Sequence, residues 1–98
     1  MDDEARQIEL QVRTAYSDFM DAKEVLDSQE KVQEEAEESL REAKARADAG
    51  TGTQLDVLDA ETSLTQARTT LVQAKHDFAT AKARLQRAIG ADMTAVDN

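Results

Sequence analysis

Few residues of this 98-residue chain could carry out chemistry, and they are acids and a single histidine. His76 stands between Lys75 and Asp77, and the chain has no second histidine and no cysteine to complete a metal site. No serine, histidine and aspartate are arranged to build a nucleophilic triad, and no glycine-rich loop ends in a phosphate-binding lysine. We therefore predict no catalytic residue, no cofactor and no metal site, and we do not expect an enzyme.

The acids are concentrated in the first half of the chain. Residues 2–48 carry 15 acids and 7 bases, a net charge of −8, whereas residues 51–98 carry 6 acids and 5 bases, a net charge of −1. The total of −9 has the wrong sign for a nucleic-acid binder. No apolar run is long enough to span a membrane, and no signal peptide is recognisable. We therefore expect a soluble chain that does not itself insert into a membrane.

The positions of the glycines predict where the chain turns. Gly50 and Gly52 lie near the midpoint and Gly90 lies near the end, while proline is absent and strong helix formers fill the remainder. We predict an all-α fold, a long antiparallel two-helix coiled-coil hairpin that forms one domain over residues 1–98. Helix one should span about 3–48, the tip loop 49–53, helix two about 54–89, and a C-terminal tail 90–98.

An alanine-rich heptad seam supports this hairpin. Small or apolar residues recur in alternating steps of three and four, the pattern of a coiled-coil seam. In helix one, two glutamines interrupt the pattern, and they could either fix the register or simply loosen the contact. The seam residues are Ile8, Val12, Ala15, Phe19, Ala22, Leu26, Gln29, Gln33, Ala36, Leu40, Ala43 and Ala47, then Val57, Ala60, Leu64, Ala67, Leu71, Ala74, Phe78, Ala81, Leu85 and Ala88.

Folding the two seams onto each other about the loop predicts the pairing and the chemistry of the turn. Alanine layers then alternate with large layers, and Phe19 lies opposite Leu85. Gly50 suits the left-handed position after helix one, and Thr53 with Asp56 suits a capping box at the start of helix two. Further apolar residues lie off the seam, where we expect them to pack against neighbouring hairpins; the alternative is that they are scattered surface residues without a partner. They are Leu10, Tyr16, Met20, Val25, Val32, Leu58, Val72 and Ile89.

The stretch around the loop resembles a known family. The run from Arg46 to Glu61, which includes Ala49-Gly50-Thr51 and Asp56-Val57-Leu58-Asp59-Ala60, is similar to the tip of the second periplasmic hairpin of TolC-family outer-membrane efflux proteins. The flanking helices resemble that hairpin over roughly residues 12 to 90. The resemblance implies the periplasmic portion of an outer-membrane protein, and a tunnel-wall role in an efflux channel.

The resemblance also implies partners and site residues. The hairpin tip of a periplasmic adaptor protein, in a tripartite efflux pump or a type I secretion system, would dock at Gly50, Thr51, Gly52, Thr53, Leu55, Val57 and Leu58. Asp56 and Asp59 would form acidic rings at the tunnel entrance, and neighbouring hairpins of the same channel would pack alongside. The alternative from the residues alone is a stand-alone coiled-coil interaction module that self-associates into a four-helix bundle.

Overall fold

The computed structural model describes the backbone of residues 2–97 and the side chains of residues 3–91 and 93. Helix α1 spans Asp2–Asp48 and helix α2 spans Gln54–Asp97, and residues 49–53 connect them. These two helices are the regular elements of the described residues. The predicted all-α, two-helix hairpin is confirmed. Met1 and Asn98, which the predicted domain includes, lie outside the described residues.

The hairpin divides into two compact units. One unit combines the chain up to Val25 with the chain from Lys75 onward, and the other is Leu26–Ala74, which contains the loop. Each unit therefore contains a segment of both helices. The assignment of the whole chain to a single domain stays a prediction.

The predicted seam is the buried face of both helices. Every one of the seam residues named above is buried or half-buried, whereas the residues between them are exposed, apart from Gly52 in the loop and Thr80, which are half-buried. Two helices cover only one stripe of each other, so small side chains in that stripe are enclosed most completely. The buried core consists of Ala43, Leu64, Ala67, Leu71, Ala74 and Ala81.

One contact of the seam was not among the predicted pairs. The ring of Phe19, which was expected opposite Leu85, packs against Phe78, with 5.1 Å between ring centroids and planes tilted by 36°. Whether Phe19 also meets Leu85 stays a prediction. A knob side chain fits between successive layers of the facing helix, so a sum of residue numbers does not select one partner.

The prediction that helix two ends near residue 89 is wrong. Helix α2 continues through Gly90 to Asp97, so the expected tail is helical over its described part. Gly90 does not adopt a positive φ. A glycine inside a helix costs about 1 kcal/mol relative to alanine, which does not end a helix when the following residues continue it.

Candidate functional site: the hairpin tip

The backbone of the tip ends α1 with a Schellman motif. Gly50 has a φ of 78°, the left-handed conformation predicted for it. The Gly50 amide donates to the Ala47 carbonyl at 3.1 Å, and the Thr51 amide donates to the Arg46 carbonyl at 2.9 Å. These bonds satisfy carbonyl groups that the helix end would otherwise leave without partners.

The carbonyl of Arg46 anchors the rest of the loop, although Arg46 was not among the predicted docking residues. It also accepts hydrogen bonds from the Gly52 amide at 2.9 Å and from the Thr51 hydroxyl at 3.2 Å. The role of the Arg46 carbonyl could have been predicted from the position of Gly50, because the acceptor of a Schellman motif lies four residues before the glycine. The loop is therefore held to the last turn of α1 by its own hydrogen bonds.

A reciprocal capping box starts α2, as predicted. The Asp56 amide donates to the Thr53 hydroxyl oxygen at 3.1 Å, and the Thr53 amide donates to Oδ2 of Asp56 at 3.2 Å. The Val57 amide also donates to the Thr53 carbonyl at 3.4 Å. The aspartate thus has a local structural role, and its charge lies at the helix end where the dipole favours an anion.

The two glycines of the tip are constrained for different reasons. At Gly50 an added Cβ would meet nothing within 4 Å, so only the backbone conformation demands glycine there. At Gly52 an added Cβ would lie 2.9 Å from the Cβ of Arg46 and 3.3 Å from the Ala47 nitrogen. A side chain at Gly52 would therefore deform the loop itself, because the contact includes backbone atoms.

The predicted docking residues lie together around this turn and differ in exposure. Gly52 and Val57 are half-buried, and the rest are exposed. Leu55 and Leu58 are the largest exposed apolar groups, with 63 % and 57 % of their surface accessible. The tip thus presents a glycine-rich backbone beside two leucines. The full set is Gly50, Thr51, Gly52, Thr53, Leu55, Val57 and Leu58.

The two predicted entrance acids are both exposed in the first turns of α2. Asp56 has one carboxylate oxygen in the capping box, as described above. Asp59 lies three residues further along the helix. The two residues therefore differ in what a substitution would test, because removing Asp56 also removes a helix cap.

The off-seam apolar residues are exposed, as the sequence pattern predicts. Their accessible fractions range from 41 % for Val32 to 66 % for Val72. In the unit that contains both chain ends, an open groove of about 540 Å³ borders one of them, Leu10. The groove is lined by Leu10, Gln11, Thr14, Ala15, Asp18, Arg84, Arg87, Ala88 and Ala91. Packing against neighbouring hairpins at these residues stays a prediction.

The remaining candidate for chemistry is His76, which is exposed on α2. Its Nδ1 lies 3.8 Å from Oδ1 of the adjacent Asp77, and both side chains are largely accessible. Within the described residues, no three side chains of the types that bind metals converge on one point. In the same part of the chain, neither helix has a segment apolar and long enough to cross a membrane.

The fold and the tip define a class of protein, the coiled-coil helical hairpin that presents an ordered turn at one end. The sequence matches the family described as Outer membrane efflux protein over residues 2–91. The chain belongs to this family, which confirms the resemblance seen in the sequence. No curated protein and no solved structure matches the chain.

Proposed function

We propose that this chain is the periplasmic tunnel-wall hairpin of an efflux channel, and that its tip docks the hairpin tip of a periplasmic adaptor protein. The family match supports the efflux role because it spans both helices and the turn. The observation that carries the docking role is the ordered tip itself. Two exposed leucines stand beside a loop whose amides are already bonded internally, so an apolar partner can cover the leucines without leaving those donors unpaired.

The docking proposal can be tested with matched leucine substitutions. Leu55→Ser changes the tip, and Leu10→Ser changes an equally exposed leucine remote from the tip in sequence, at 64 % against 63 % accessibility. A purified adaptor protein of a tripartite pump is titrated against the immobilised chain. We expect Leu55→Ser to weaken binding about tenfold or more, as loss of a central apolar anchor does, and Leu10→Ser to leave it unchanged.

Substitution at Gly52 is a less specific test of docking. We expect a bulky residue such as Gly52→Trp to weaken adaptor binding, but its Cβ already collides with the last turn of α1. The leucine pair avoids this ambiguity because neither side chain holds the loop together. Equal losses at Leu55 and Leu10, or no binding by the unmodified chain, would contradict docking at the tip.

We further propose that Asp59 contributes to an acidic ring when several hairpins converge at a tunnel entrance. Such rings attract cations and repel anions. Asp59→Asn is the suitable variant, because it removes the charge without disturbing the capping box of Thr53 and Asp56. In a reconstituted channel that contains this hairpin, the variant should lower the preference for cations. An unchanged ratio of cation to anion conductance would refute this role.

A further inference from the structure

The groove in the unit that contains both chain ends has one charged end and one apolar end. Its volume of about 540 Å³ lies within the range of small-molecule sites. Ala15 and Ala88, which are half-buried, line it with small apolar side chains. Arg84 and Arg87 line it from the α2 side, and Leu10 lines it nearer the chain ends. The two ends of a bound molecule would therefore meet different surroundings.

The part of α2 that borders the groove is basic, unlike the chain as a whole. Residues 78–91 carry three bases and no acid, whereas the net charge of the chain is −9. Arg84 and Arg87 are three residues apart, so they share one side of α2, where both guanidinium groups can reach one anion. Neither arginine forms an ion pair within the described part of the chain. Both are therefore available to an anion from outside.

The charged end of the groove attracts an anion only modestly. Asp18 lies on the α1 side of the groove, where its carboxylate opposes the two arginines. All three side chains are exposed, so water and salt screen their interactions. Useful affinity for an anion therefore requires a further contribution from the apolar end.

The apolar end of the groove determines the shape of a molecule that fits. Leu10, with 64 % of its surface accessible, and Ala91 line this end. From Arg84 to Ala91 the helix rises about 10 Å, at 1.5 Å per residue. An alkyl chain of medium length can lie along this distance while its head group contacts the arginines. Covering Leu10 removes apolar surface from water, which favours binding.

From these features we infer that the groove binds one amphiphilic anion, with an alkyl chain of medium length and a sulfate, carboxylate or phosphate head group. The occupant is a free molecule and not a lipid bilayer, because a net charge of −9 opposes approach to an anionic membrane surface. None of the groove residues belongs to the predicted docking set, so binding here does not depend on adaptor docking.

The first experiment separates the head group from the chain of the ligand. Octyl sulfate is titrated against the full, isotope-labelled chain below its micelle concentration, and amide NMR shifts report affinity and location. We expect a dissociation constant of about 1 mM, from the usual affinity per non-hydrogen atom. Methyl sulfate, which lacks the chain, and octyltrimethylammonium, which has the opposite charge, should each bind about tenfold more weakly or worse. Vesicles of phosphatidylglycerol should not co-sediment with the protein.

The second experiment tests the charged side chains with substitutions. Replacing both arginines, Arg84→Gln with Arg87→Gln, should weaken octyl sulfate binding about tenfold. The control Lys82→Gln removes an exposed charge outside the groove and should change binding less than about twofold. Asp18→Asn should tighten binding about twofold or more, because it removes the opposing carboxylate. A gain of affinity cannot result from a folding defect.

The third experiment fills the apolar end of the groove. Ala91→Leu places a larger side chain in the space that the alkyl chain would occupy, so it should weaken octyl sulfate binding about tenfold. Ala83→Leu makes the same change at an exposed alanine outside the groove and should leave binding unchanged. Circular dichroism checks that every variant remains helical.

Several results would overturn the amphiphile site. One is equal binding of octyl sulfate and octyltrimethylammonium, and another is an equal effect of the arginine pair and Lys82→Gln. Amide shifts spread along both helices would show non-specific detergent binding instead of a site. Co-sedimentation with anionic vesicles would assign the groove to a membrane surface. No saturable binding at all would leave it as a packing surface for a neighbouring hairpin.

Discussion

The left-handed turn at Gly50 makes a quantitative prediction about the stability of the tip. Alanine at this position has room for its Cβ, since nothing lies within 4 Å, but it must adopt a φ of 78°. That conformation costs a non-glycine residue about 1–2 kcal/mol. Alanine also restricts the unfolded chain, which offsets about 0.4–1 kcal/mol. We therefore expect Gly50→Ala to destabilise the hairpin by about 1 kcal/mol.

The assay is thermal unfolding followed by circular dichroism at one fixed protein concentration. For a domain of this size, 1 kcal/mol corresponds to a Tm decrease of about 4–8 °C. Gly50→Asn is the matched variant, because asparagine tolerates the left-handed region better than alanine does. It should therefore lose clearly less stability. D-alanine at position 50, introduced by chemical synthesis, accepts positive φ and should not destabilise the hairpin.

Two results would refute this reasoning. If Gly50→Ala and Gly50→Asn lowered the Tm equally, the cost would not come from the backbone conformation. If D-alanine were as destabilising as L-alanine, a steric contact would be responsible, although the structure has none within 4 Å of the added Cβ.

Three further predictions concern packing and capping. In urea unfolding, Leu71→Ala should lower the free energy of unfolding by about 2–5 kcal/mol and Leu55→Ala by about 0.5 kcal/mol or less. The reason is that Leu71 is 6 % accessible and Leu55 is 63 % accessible. Equal losses would contradict the burial of Leu71 in the seam. A double-mutant cycle of Phe19→Leu and Phe78→Leu should give a coupling of about 0.5–1.5 kcal/mol, and strict additivity would exclude the ring contact. Asp56→Ala removes the carboxylate that accepts the Thr53 amide and should lower the free energy of unfolding by about 1 kcal/mol; an unchanged value would show that this hydrogen bond is not stabilising.

Some features of the tip could be predicted from the local sequence and others could not. The chain contains the glycine and the Thr53–Asp56 pair at the spacings that a Schellman motif and a capping box require, so both were predictable. The clash at Gly52 was not predictable, because it depends on how the loop folds back over Arg46. Whether the tip contacts an adaptor depends on a second protein and stays a prediction.

The sequence by itself determined which side chains face inward along both helices. A repeat of alternating threes and fours aligns one stripe of each helix, so residues as far apart as Ile8 and Ala88 were assigned correctly to the buried face. This assignment needs no knowledge of the partner helix, because helical geometry alone decides which residues share a face.

Only the tertiary structure decided how the two stripes meet. It brought the rings of Phe19 and Phe78 together, and it carried α2 past Gly90 to Asp97. Register depends on how side chains of particular shapes fill the spaces between layers, and several offsets satisfy the same heptad pattern. The length of a helix likewise follows from the sum of small propensities, so one glycine near its end does not determine where it stops.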